Sequence, residues 1–133
     1  MQQISEPTLR AFFLGLAAVS LGIGLWMFLL PHSFYTTVGA FEAYNRHYER
    51  DAATFYFAFA LGAYFAALRP SWRIPVLSMV TLQYLIHTIN HGIDAGHANN
   101  SWAGPVDVAS LALATIQFAG LLWLLQRRQG AAR

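Results

Sequence analysis

Long apolar runs alternate with short polar breaks along this chain, and four of the runs are long enough to cross a membrane. They extend from about Ala11 to Leu30, Ala52 to Leu68, Ile74 to Ile93 and Val106 to Leu125. A helix needs about 20 mostly apolar residues to cross a hydrocarbon core about 30 Å thick. The second run is the shortest, and Tyr48 with its neighbours can extend it. The first exceeds the roughly 7–15-residue apolar core of a signal peptide, so it reads as a retained helix. Pro31 ends it, having no N–H to continue the ladder. Arg69-Pro70-Ser71-Trp72-Arg73 forms a polar hinge, and Asp94 to Pro105, rich in Gly, Asn and Ala, forms a flexible link.

The pattern predicts an all-α protein, a single membrane domain over residues 1–133 folded as an antiparallel four-transmembrane-helix bundle. Small residues spaced by four (Ala58, Gly62 and Ala66; Ala18 and Gly22; Ser110 and Ala114) allow close helix packing. The segment from His32 to Arg50 carries Phe34, Tyr35, Phe41, Tyr44 and Tyr48. It is too polar to span, so it is expected along the outer interface, with helix forming after Gly39.

Composition narrows the class. Hydrophobic residues make up 56% of the chain and charged ones only 11%, against roughly 25% charge in an ordinary soluble domain. Such a composition excludes disorder. A net charge of +2 without a basic cluster argues against nucleic acid as a partner. With no cysteine there is no disulfide, thiol catalysis or Cys-ligated zinc. The lipid bilayer is the implied partner.

Charge placement sets an orientation. Arg10, Arg69, Arg73, Arg127, Arg128 and Arg133 flank one side of the four runs. Arg46 and Arg50 flank the other, beside Glu42, Glu49 and Asp51. The positive-inside rule then places both termini in the cytoplasm of a multi-pass plasma-membrane protein. All five histidines and every acid except Glu6 fall on the outer side.

The third run concentrates this polarity. Gln83, His87, Asn90, His91 and Asp94 share a helical stripe about 100° wide. Polar groups at membrane depth face protein or a wet cavity, so the stripe predicts an outward-open polar pocket among the second, third and fourth spans. Arg50, Asp51 and Asp107 are its other candidate residues. One reading is a structural network in which Arg50 pairs with Asp94 or Asp107 and the histidines hydrogen-bond across helices. A second is a divalent-metal site: His87 and His91, at i and i+4, present two imidazoles with Asp94 a turn further, and Asp51 or Asp107 adds a carboxylate or orients an imidazole, a donor set suited to Zn or Fe(II). A third is a proton or small-ligand site. No catalytic residues are identified.

Three short elements carry a family resemblance. They are Pro31-His32-Ser33-Phe34-Tyr35, Tyr44-Asn45-Arg46-His47 leading to Arg50-Asp51, and His87-Thr88-Ile89-Asn90-His91 with Asp94. The chain resembles small four-helix bacterial integral membrane proteins, loosely DoxX-like. The resemblance implies a membrane subunit of quinone-linked sulfur oxidation or of an oxidative-stress complex, and the absence of cysteine removes any thiol-based version. The expectation is a non-enzymatic accessory or interaction subunit, as a homo-oligomer or in a larger membrane complex. The alternative is a metal- or ligand-binding oxidoreductase subunit using His87, His91 and Asp94.

Overall fold

The computed structural model describes residues 4–39, 41, 43–98 and 101–131, and these hold five α-helices and no strand. Helix α1 is Glu6–Leu29, α2 Pro31–Thr37, α3 Arg46–Leu68, α4 Arg73–Asp94 and α5 Ala103–Ala131. Short 3-10 turns at Pro70–Trp72 and Ala95–His97 flank α4. Glu42 and Arg133, two of the charges that set the expected orientation, lie outside the described residues.

Local chemistry fixes the helix ends. The Ser5 hydroxyl accepts the Thr8 N–H at 3.3 Å and caps α1, while Glu6 complements the helix dipole. At the other end α1 stops at Leu29, and Pro31 opens the short α2. Asn45 Oδ1 accepts the N–H groups of His47 and Tyr48 at 3.0 and 3.1 Å. That cap starts α3 at Arg46, ahead of the apolar run at Ala52, and absorbs the last turn of the expected interfacial segment. The rest of that segment is helical before Gly39, as α2. Helix α5 continues past Leu125 because Gln126, Arg127 and Arg128 favour helix and the Arg127 guanidinium lies 4.0 Å from the Trp123 ring centroid.

Three helices are long and apolar enough to cross a membrane: α1, α3 and α5 as far as Arg128. Helix α4 has the length, at 22 residues. Gln83, His87, Asn90 and His91 leave it without an unbroken stretch as apolar as those in the other three.

The chain divides into two compact units. The first comprises the described residues up to Thr37 and Asn45–Val76, hence α1, α2, α3 and the first turn of α4. Helix α1 buries Leu9, Phe13, Ser20, Gly24 and Met27 at spacings of three, four and seven, and α3 buries five alanines between Ala53 and Ala67. Small side chains let backbones approach. At Gly24 an added Cβ would stand 2.9 Å from the Phe57 ring and 3.2 Å from the Tyr56 Cβ.

The second unit comprises Val38–Tyr44 and the chain from Leu77 onward. Its α4 and α5 meet along one seam. The Tyr84 and Phe118 rings meet at 5.0 Å, the Thr88 and Thr115 hydroxyls at 3.1 Å, and His91 faces Asp107. Partner numbers fall along α5 as they rise along α4, so the two helices are antiparallel. An isolated antiparallel bridge joins Phe41 to Ala98.

Large apolar side chains point outward in both units. Phe55, Leu61 and Leu68 of α3, Leu82, Ile86, Ile89 and Ile93 of α4, and Leu113 and Ile116 of α5 are all exposed, Ile93 to 72%. A soluble monomer rarely exposes apolar patches beyond a few hundred Å². Alanines inside and large aliphatic side chains outside is the arrangement that hydrocarbon favours.

Candidate functional site

The polar seam at the connected end of the α4–α5 hairpin, next to the Ala95–His97 turn, is the place where candidate residues converge. His87 and His91 lie one turn apart on α4, with ring centroids 4.5 Å apart. Across the seam, His91 Nδ1 stands 3.8 Å from Asp107 Oδ2, and both side chains are mostly buried. That separation is beyond a hydrogen bond, and neither atom has another partner. Phe41 closes the end, its ring edge-to-face with His91 at 4.9 Å. The same Phe41 backbone bridges to Ala98, so the link before α3 and the turn after α4 meet at this histidine.

Below this cluster the seam is satisfied locally. Thr88 and Thr115 donate to the Tyr84 and Leu111 carbonyls at 2.7 and 2.8 Å and also contact each other. Hydroxyls folded back on their own helices tolerate an apolar environment. Gln83, on the His87–His91 stripe, is half-buried with its Oε1 unpartnered. Asn90 is exposed.

The other candidates are engaged elsewhere. Asp94 turns to His97, with Oδ1 and Nδ1 3.7 Å apart. The divalent-metal trio of His87, His91 and Asp94 is therefore not assembled, and among the described residues no three His, Asp or Glu side chains converge on a metal position. The carboxylate that α5 brings to His91 is Asp107, which the sequence stripe on α4 alone does not contain. Arg50 is engaged at the end of α1. Its Nε donates to the Phe28 carbonyl at 3.1 Å and its guanidinium lies 5.4 Å from the Phe28 ring centroid. It thereby satisfies an orphan carbonyl in the last turn of α1. Asp51 is exposed and pairs with His47 one turn back on α3, at 3.3 Å.

Sequence reasoning missed one ion pair of structural weight. Arg73 is buried, and its Nη1 donates to Glu6 Oε2 at 2.9 Å while Nη2 contacts the other carboxylate oxygen. Glu6 supplies the counter-charge that a buried guanidinium requires. The available signal was Glu6 itself, the single acid on the arginine-rich side. Nothing in the sequence marked Phe41 as the residue that would cover His91.

No protein-family model, curated protein or solved structure matches the chain.

Proposed function

We propose that this is a small bacterial integral membrane protein acting through association, as a non-enzymatic accessory or interaction subunit in the plasma membrane. In this reading all four long helices cross the bilayer, α4 included, and both termini are cytoplasmic. The observation that carries it is the reversed distribution of side chains, with alanines buried in α3 and large aliphatic groups exposed on α3, α4 and α5. The polar groups of α4 fit the same reading. Gln83, His87, Thr88 and His91 are half-buried, whereas Leu82, Ile86, Ile89 and Ile93 are exposed, so these costly groups are withdrawn from lipid, and Asn90 is the polar residue of the stripe left exposed.

The polar seam supports a holding role. Thr88, Thr115, His91 and Asp107 are matched across two helices and fix the register of α4 against α5. Ala18 and Gly22 on α1 remain exposed, with open space before Gly22, and such positions suit helix–helix contact with another membrane chain or a second copy.

The test is cell fractionation followed by mild-detergent purification. The protein is expected to stay with membranes through an alkaline carbonate wash, to enter solution only with detergent, and to migrate as an oligomer or with partner proteins. Recovery in the carbonate supernatant would contradict the membrane reading, and a lone monomer in mild detergent would contradict the associative one.

A further inference from the structure

We infer that the turn between α3 and α4 binds the headgroup of an anionic phospholipid, through Arg69, Ser71, Trp72 and Arg10. The inference rests on the membrane placement proposed above and adds the class of lipid that this end of the first unit selects.

Charge is the first reason. Glu6 is the acid available at this end of the unit, since Glu49 and Asp51 belong to the opposite end of α3. The bidentate contact with Arg73 neutralises it. Arg10, one turn along α1 from Glu6, and Arg69 are both exposed, and among the described residues neither has an ion pair. Two uncompensated cations thus lie where the arginine-rich side meets the membrane surface.

Shape is the second. The Arg69 guanidinium lies over the Phe65 ring at 5.8 Å, and the Trp72 ring packs against the same Phe65 at 5.1 Å while remaining 40% exposed. Tryptophan prefers the level of the headgroups. A guanidinium stacked on an aromatic ring keeps its N–H fork available for a phosphate. The exposed Ser71 hydroxyl adds a donor in the same turn.

What lies along α3 decides between a lipid and a free anion. Leu61, Tyr64 and Leu68 are all exposed, and their spacing of three and four places them on one face that leads to Arg69. That strip is an acyl-chain track with the cationic turn at its end. Inorganic phosphate would use the arginines and leave the strip uncovered, whereas a phospholipid uses both.

Trp72 supplies the test. A variant keeping it as the sole tryptophan (W26F/W102F/W123F) is reconstituted in phosphatidylcholine nanodiscs containing a minor fraction of lipid brominated on its acyl chains. Each arginine near the surface is worth about a fivefold preference for an anionic lipid. Brominated phosphatidylglycerol is therefore expected to quench Trp72 several-fold more than brominated phosphatidylcholine at equal mole fraction. R10Q/R69Q is expected to bring the two lipids to parity, and excess inorganic phosphate to change nothing. Equal quenching by the two lipids in the starting protein, a preference that survives R10Q/R69Q, or displacement by phosphate would overturn the inference. Loss of quenching by both lipids would instead overturn the membrane placement itself. Native mass spectrometry of the unaltered chain, offered both lipids equally, reads the same preference without the tryptophan replacements. Retention of phosphatidylglycerol over phosphatidylcholine is expected there, and equal retention would overturn the inference.

Discussion

Arg73 grips the carboxylate of Glu6 across 67 positions of sequence, tying the first turn of α1 to the first turn of α4. Its Nε also donates to the Ala66 carbonyl at 3.2 Å, one of the orphan acceptors in the last turn of α3. One buried side chain therefore fastens the ends of three helices within the first unit. Replacing Arg73 with Ala removes both contacts, and the charged hydrogen bond to Ala66 alone accounts for about 2 kcal/mol. Glu6→Gln keeps a neutral acceptor in place and is expected to lower the melting temperature in detergent by less. Equal loss in the two variants would show that the Ala66 contact contributes nothing.

Glycine substitutions separate close contact from open space. A Cβ on Gly104 would overlap the Ala95 carbonyl oxygen, a backbone atom that cannot swing aside. Gly104→Ala is expected to cost about 3 kcal/mol or more, the upper end for overpacking. Gly120 lies on the same helix with nothing within 4 Å of its would-be Cβ. Gly120→Ala should be neutral or stabilise by up to about 1 kcal/mol through helix propensity. Thermal unfolding of the two variants side by side checks the contrast.

The α4–α5 seam yields to double-mutant cycles. Removing His91 as His91→Leu leaves the Asp107 carboxylate mostly buried beside an apolar side chain, an expected loss of about 1–3 kcal/mol. Adding Asp107→Leu should recover part of it. The Thr88→Val and Thr115→Val pair should couple by only about 0.6 kcal/mol, because each hydroxyl already bonds to its own helix. Simple additivity at His91 and Asp107 would mean that the two side chains do not act on one another.

Apolar run length and proline placement were enough to predict the four long helices, because both are local properties of the chain. The ends were less legible. Asn45 caps α3 seven residues before the apolar run, and hydropathy carries no signal for a cap of that kind. The α4 stripe places His87 and His91 on one face, and their rings are neighbours in the structure, since helical periodicity alone sets which residues share a face. It assigned Asp94 to them, although Asp94 lies past the end of the seam and finds His97 in the next turn. Asp107, named beside Asp51 as a second carboxylate for these histidines, is the one that stands near His91, because an antiparallel partner brings residues near its own start opposite the last turns of α4. Such a pairing depends on register between helices, which a single sequence does not encode visibly. Arg50 adds a contact that hydropathy does not signal: its Nε donates to a helix-end carbonyl at Phe28, and orphan backbone acceptors do not show in a list of charges.

The central claim is that four helices cross the membrane, with α4 carrying its polar residues through it. The chain has no cysteine, so a single introduced thiol reports one position without background. Ser71, in the turn before α4, and Ser101, in the link after it, are both exposed. The direct measurement is labelling of Ser71→Cys and Ser101→Cys in intact cells with a membrane-impermeant maleimide. The account predicts that Ser101→Cys labels at once and Ser71→Cys only after the cells are permeabilised. Labelling of both positions from the same side would contradict it, because α4 would then not cross.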